Sequence, residues 1–313
     1  MDRFSTLQAF ARVVEAGSFT KAAQTLNLSK TTVSQLVQQL EGRLRVRLMN
    51  RTTRQVQVTP EGAAYYERVV RLLADLQDAD ASLTGAMAAP KGRLRVDVPS
   101  PFALTLLVPA LPTFHARYPD IQLDLGVSDR HVDVIGDNVD CVLRGGELSD
   151  SSLRARRVGE LPLGVYAAPR YVARAGTPRD PRDLEGETPH RVVGFLNART
   201  GKALPLVLSR QGVQLVVQGR HVVAIDDGNA YLAAGLAGMG VLWLPKYMAH
   251  APLARGELLP LFDGWDAGHM PLHLVFPPGR HMSARLRVFV SWLEALVARH
   301  APLSAWVPPQ AAH

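Results

Sequence analysis

The spacing of apolar positions divides the chain into a helical beginning and a long alternating remainder. Phe4, Leu7, Phe10, Ala11 and Val14 recur at helical steps and stop at Gly17, a residue suited to the left-handed cap that ends a helix. Ser18 is placed to cap a short second helix, whose Ala22, Ala23 and Leu26 share one face small enough for another helix to cross closely. Asn27-Leu28-Ser29 supplies a turn. A third helix is predicted from about Lys30, with Val33, Leu36, Val37, Leu40 and Leu44 committed to a core. Its other face carries Lys30, Thr31, Thr32, Ser34, Gln35, Gln38 and Gln39, flexible donors and acceptors with almost no negative charge. That arrangement is a helix-turn-helix over about 18–37, and its second helix has the chemistry that a major groove requires.

Leu44 to Arg51 and Gln55 to Val58 read as short segments flanking Arg51-Thr52-Thr53-Arg54, a two-stranded wing with arginines at its tip to meet phosphates or the minor groove. Thr59-Pro60-Glu61-Gly62 is a helix start, with Thr59 as cap and Pro60 at the first helical position. The helix then runs to about Met87, with Tyr66, Val69, Leu73, Leu76, Leu83 and Met87 in an approximate heptad. At a rise of about 1.5 Å per residue it is about 40 Å long, more than a domain of the first 60 residues can cover. A copy of the same helix in a second chain fits the spare stripe, and burial against the downstream domain is the alternative.

Ala88 to Gly92 reads as a hinge, after which the pattern changes. Leu94 to Val98 alternates as a strand, Ser100-Pro101 starts a helix with Leu104, Leu107, Val108, Leu111 and Phe114 as its apolar face, and Ile121 to Leu125 is a strand again. The alternation continues through Val139 to Arg144 and predicts an α/β domain on a largely parallel sheet. Leu161 to Ala167, Val192 to Phe195 and Gln214 to Gln218 are strands of a second lobe. Asp226 to Asn229 opens an alanine-rich helix closed by Gly238-Met239-Gly240, before the strand Val241 to Pro245. Leu272 to Phe276 is a further strand and Ser283 to His300 a long amphipathic helix. The expected organisation is a winged domain at 1–59, a linker helix and hinge at 60–90, a two-lobed domain at 91–303 (lobe I about 91–161 and 266–303, lobe II about 162–265) and a flexible tail at 304–313. The fold class is therefore α+β multidomain: an all-α-rich winged helix-turn-helix domain, a long linker helix and a two-lobed α/β domain.

Charge sharpens this picture. Of the net +7, residues 1–60 carry +6 and the remainder +1, so the excess sits on the small domain and points to a polyanion partner. No apolar run is long enough to span a bilayer and Met1-Asp2-Arg3-Phe4 lacks the order of a signal peptide, so a cytoplasmic protein without a membrane partner is expected. Cys141 is the lone cysteine; a buried structural thiol is the reading of its apolar context, a redox role the alternative.

The first 62 residues resemble the LysR-type transcriptional regulators. The family's run Gly-Ser-Phe-x-x-Ala-Ala stands at Gly17 to Ala23, its Ser-x-x-x-Val-Ser-x-x-Ile/Leu at Ser29 to Val37, and its Leu-Glu at Leu40-Glu41, with Arg51, Arg54, Thr59 and Gly62 in register. Arg45 and Met49 depart from the family's usual glycine and phenylalanine. Downstream, Leu143-Arg144-Gly145-Gly146, Asp226-Asp227-Gly228 and Gly238-Met239-Gly240 stand in the order of the family's effector domain, which is similar to periplasmic binding proteins. The resemblance implies a homotetramer built as a dimer of dimers, with a small-molecule co-inducer in a cleft between lobes; two recognition helices of a dimer, one turn or a multiple of it apart, would read inverted-repeat half-sites in double-stranded promoter DNA, and no cofactor or metal is expected.

Candidate DNA contacts are Ser18, Thr20, Ser29, Lys30, Thr31, Thr32, Ser34, Gln35 and Gln38, with Arg51, Thr53 and Arg54 on the wing. In open α/β sheets ligands sit where strands end and helices begin, and free amides there attract anions. Candidate effector contacts are therefore Ser100, Pro101 and Phe102, then Ser128, Arg144, Gly145 and Phe195, then Asp226, Asp227 and Asn229, and the helix starts with Arg144 point to a small organic anion. Ordinary capping is the plain alternative for the serines and aspartates. No reacting constellation supports an enzyme: Pro271 between His269 and His273 prevents a helical metal pair, and no nucleophile turn or phosphate loop occurs in context. A solute-binding transport protein is the nearer rival for residues 93–300, disfavoured by the basic domain in front.

Overall fold

The computed structural model describes residues 2–51, 56–83, 90–129, 139–148, 154–197, 200–277 and 282–300, and the chain divides into two compact units, Met1–Ala88 and Ala89–His313. Thr53 and Arg54, the Arg51 side chain, Met87, the residues 88–89 of the hinge and the tail 304–313 lie outside that description.

In the first unit α1 (Arg3–Ala16) ends at Gly17 with φ 58, the left-handed cap its position predicts. Next come α2 (Phe19–Leu26) and α3 (Lys30–Leu44), joined through Asn27, also left-handed at φ 54. Ala22, Ala23, Val33, Leu36, Val37 and Leu40 are buried with Phe10 and Val13 of α1, so the small-residue face of α2 lets three helices share one core. Helix α3 continues through Leu44, which is therefore helical and not part of the wing. Arg45 takes the left-handed cap at φ 55, keeping the tight turn without glycine. The wing is β1 (Met49–Arg51) against antiparallel β2 (Val56–Val58).

Helix α4 (Pro60–Leu83) follows. Tyr65 and Tyr66 meet the Phe10 ring at centroid distances of 5.8 and 6.5 Å, and Val69 is 1% exposed. Tyr66, Val69 and Leu73 are thus committed to their own core, which corrects the expected seam. The open side of α4 carries Leu72, 60% exposed, and Leu76, 45% exposed.

The second unit is built on a seven-stranded sheet. Its first four strands along the chain are β3 (Gly92–Val98), β4 (Ile121–Val127), β5 (Cys141–Gly145) and β6 (Arg154–Ala167). Between β3 and β4 runs one helix, α5, in three pieces: α-helical at Ser100–Phe102, π-helical at Ala103–Leu107 and α-helical again at Val108–Arg117. After β6 come α6 (Pro169–Ala175), β7 (Val192–Phe195), the hairpin β8 (Leu206–Arg210) and β9 (Val213–Val217), β10 (His221–Ile225) and α7 (Gly228–Leu236). The chain closes with β11 (Leu242–Pro245), α8 (Lys246–Ala254), β12 (Leu259–Pro260), β13 (His269–Phe276) and α9 (Ala284–His300).

The sheet order is β11-β6-β13-β5-β3-β4, with β12 also on β6. Strand β3 is parallel to β4 and β5, but β13 is antiparallel to β5 and β6, and β11 to β6. The expected largely parallel sheet is therefore mixed. The 14-residue β6 leads away from the first strands and β13 returns beside it, and an outgoing and a returning strand lie antiparallel. Strands β7 and β10 are parallel, with a bridge from Val192 to Val241 just before β11.

The π-helical stretch also changes the apolar face predicted for α5. A wider turn inserts a residue into the helical repeat, so Leu106 and Leu107 are buried while Leu104 is 66% and Val108 48% exposed. Phe114 keeps its place in a ring cluster with Phe289 and Trp292 of α9. Cys141 is fully buried, and burial pushes its thiol well above the usual range, which suits packing and not reactivity.

Candidate functional site

The candidate DNA-reading surface is the outer side of α3. Ser29 caps the helix by accepting from the Thr32 amide at 3.0 Å, and the Ser29 and Thr32 hydroxyls bond each other at 2.8 Å. Ser18 likewise accepts from the Lys21 amide at 3.4 Å. These three oxygens hold helix starts in place, the capping reading of their sequence positions. Lys30, Thr31, Gln35 and Gln38 are exposed along one side of α3, Ser34 is half-buried beside them, and Thr20 is exposed on α2.

The wing is fixed to α3 by a knot that pattern reading missed. One oxygen of Glu41, Oε1, accepts the amides of Leu48 at 2.8 Å and Met49 at 3.1 Å. The Thr59 amide donates to the Leu48 carbonyl at 3.0 Å, and the Thr59 hydroxyl donates to the Arg47 carbonyl at 2.9 Å while accepting from the Gly62 amide at 2.9 Å. A lone acid among Arg43, Arg45 and Arg47 is the signal in the sequence, and the structure has it accept two backbone donors.

In the second unit the starts of α5 and α7 meet. Asn229 Nδ2 donates to Ser100 Oγ at 2.7 Å, and the buried Pro101 ring lies where a side chain on Gly228 would be, 2.3 Å from an added Cβ. Between the two starts sits Asp129, which accepts the Ser100 amide on Oδ1 at 2.9 Å and the Gly228 amide on Oδ2 at 2.6 Å. Burial raises the Asp129 carboxyl above its ordinary value; the Gly228 and Ser100 amides oppose that, Asp227 adds to it and Arg144 subtracts. Arg144, at the end of β5, is drawn below its ordinary value by burial, against the fields of Asp97 and Asp129. Asp129 directly follows Ser128 at the carboxyl end of β4, a position visible in the sequence. A search for anion donors selects the serine and passes over the carboxylate.

The other candidates divide. Asp227 caps α7 by accepting from the Ala230 amide at 2.8 Å, with Asp226 just ahead of it. Phe195, at the end of β7, packs edge-on against Tyr231 of α7 at 5.3 Å. The Ser128 amide continues the β3–β4 pairing by donating to the Val98 carbonyl at 3.1 Å. Phe102 is not a cleft wall: it is 1% exposed and its ring meets Tyr247 in the core. Gly145 lies against Met270. A separate cavity of about 460 Å³, lined by Val192, Gly194, Lys202, Leu204, Gln218 and His221, touches none of the predicted residues.

Comparison with known proteins places both units. The family described as "Bacterial regulatory helix-turn-helix protein, lysR family" matches residues 4–63, and "LysR substrate binding domain" matches residues 88–298. An HTH-type transcriptional repressor of Pseudomonas aeruginosa (strain UCBPP-PA14) is 37% identical over 300 residues, covering 96% of this chain and 94% of the relative. The HTH-type transcriptional activator AaeR of Escherichia coli K12 is 32% identical over 295 residues, covering 94% and 93%. The structure of CrgA, a LysR-type transcriptional regulator from Neisseria meningitidis, is similar with a TM-score of 0.56 and 34% identity over 96% of this chain and 99% of that one. These relatives are transcriptional regulators and not enzymes. With family models matching residues 4–63 and 88–298 and a 37% identical relative covering 96% of its length, the chain belongs to the LysR family of DNA-binding transcriptional regulators.

Proposed function

We propose that this regulator reads inverted-repeat half-sites in double-stranded promoter DNA, in the cytoplasm, and that a small organic effector held between the two lobes of its second unit modulates DNA binding or bending. Lys30, Thr31, Gln35 and Gln38 face the bases, supported by Ser34, while Thr20, Ser18, Ser29 and Thr32 lie toward the backbone. Arg51, Thr53 and Arg54 anchor the wing. The observation that carries the reading is the division of α3, whose Val33, Leu36, Val37 and Leu40 are at most 3% exposed while its long polar side chains are exposed on the opposite side. A helix so divided has its stability assigned to one face and its chemistry to the other.

Anisotropy titrations on a selected operator and on scrambled DNA test this. Lys30→Ala and Gln35→Ala should each cost about 1–3 kcal/mol on the operator with much less change on scrambled DNA. Parent-like binding by both variants would move the reading surface off α3.

The reading also requires two copies, because two recognition helices set one turn apart give an inverted repeat its spacing. Leu72 and Leu76, one helical turn apart on the open side of α4, support pairing with the same helix of a second chain. A Leu72→Asp, Leu76→Asp double variant should sediment as a smaller species than the parent. An unchanged species would place the dimer contact elsewhere. Further pairing of dimers gives the tetramer. An effector then acts by binding one arrangement of that assembly better than the other.

A further inference from the structure

The two helix starts that would attract an anionic effector already hold one anion, and it belongs to the chain. Both Asp129 oxygens are engaged, one by the Ser100 amide and one by the Gly228 amide, which lies 99 positions further along. The Asn229 to Ser100 bond and the Pro101 contact with Gly228 close the same junction from either side. A ligand carboxylate seated there would compete for amides already bonded at 2.6 and 2.9 Å, and would face Asp129 and Asp227 as like charges. Arg144 offers little compensation, because its field is already shared between Asp97 and Asp129.

We propose that Asp129 is a built-in clasp that closes the starts of α5 and α7 on each other without ligand and sets effector specificity there: the group that enters is uncharged or donates hydrogen bonds, and is not a carboxylate. This rests on the interlobe effector reading and narrows it. Entry of such a group then offers the Asp129 carboxylate a donor in competition with the Ser100 and Gly228 amides, so the chain's own side chain defines one of the two arrangements between which the ligand chooses.

The test uses full-length protein and small carboxylates as probes, and involves neither DNA nor the effector. Thermal melts of the parent, Asp129→Ala and Asp129→Asn are recorded in sodium formate and in sodium chloride at equal ionic strength. Asp129→Ala should lower the melting temperature of the second unit by about 5 °C, and formate, but not chloride, should restore most of that loss by filling the vacated seat. Asp129→Asn keeps one acceptor oxygen and fills the space, so it should melt between the other two and ignore formate. The parent should ignore formate as well. Stabilisation of the parent by formate equal to that of Asp129→Ala would overturn the proposal, and so would an Asp129→Asn protein that melts with the parent. Failure of the formate arm refutes the clasp alone and leaves the interlobe reading standing, because neither DNA nor effector enters the measurement.

Discussion

A Gly62→Ala variant should lose about 3 kcal/mol or more from its first unit, the upper end of what overpacking costs. A Cβ on Gly62 would stand 2.0 Å from the Leu48 carbonyl oxygen and 2.9 Å from Val58 Cγ1. The oxygen is backbone and is itself held by the Thr59 amide at 3.0 Å, so it has no rotamer through which to retreat. Either α4 shifts off the wing or the wing opens, and both break the hydrogen bond from the Gly62 amide to Thr59. Calorimetry of the full chain should show the first unit's transition fall by roughly 12–24 °C, at about 4–8 °C per kcal/mol for a unit of this size. Gly42 supplies the contrast. It lies in the interior of α3 with open space where its Cβ would be, and Gly42→Ala should be neutral or stabilising by up to about 1 kcal/mol. An unchanged melt for Gly62→Ala would show that the wing junction yields freely.

The contrast between the two glycines also marks what a sequence can carry. Gly42 and Gly62 look alike in a pattern of spacings; the carbonyl of a residue fourteen positions back is what separates Gly62. Periodicity located α1, α2 and α3 because each buries a stripe whose spacing belongs to the helix alone. It misjudged α4, where Val69 and Leu73 continue the same stripe as Leu76, since spacing does not say which part of a stripe its own domain takes. On α5 the π-helical residues Ala103–Leu107 shift the repeat, so a pattern drawn at constant pitch puts Leu104 inside and Leu106 outside, the reverse of the structure.

Strand direction was likewise beyond an alternating pattern. Nothing in Leu272 to Phe276 says that β13 runs back beside β6. At the candidate effector site, Ser100 and Asn229 were legible from helix-start chemistry, and the structure joins them across 129 positions. Asp129 was not, because its role depends on two amides that only the tertiary fold brings to it.

Glu41→Ala should be the second costly change in the first unit, and Glu41→Gln separates its causes. Leu48 and Met49 are 2% and 3% exposed, so the amides that Glu41 Oε1 accepts have little water to turn to. Removing the acceptor strands two donors at about 1–3 kcal/mol each, against a few tenths regained from alanine's helix propensity. A net loss of about 2–5 kcal/mol follows. Glutamine keeps an oxygen at the same reach and gives up only the charge, so Glu41→Gln should lose about 1 kcal/mol. The same ranking should appear in DNA binding, because the two bonds set β1, and with it the wing, against α3. Glu41→Ala should weaken binding to operator and scrambled DNA alike, while Glu41→Gln binds close to the parent. Equal damage from both substitutions would instead assign Glu41 to charge balance among Arg43, Arg45 and Arg47. An acid that served only that purpose would be expected to strengthen non-specific DNA binding when removed, since a positive surface gains phosphate affinity with each negative charge it loses.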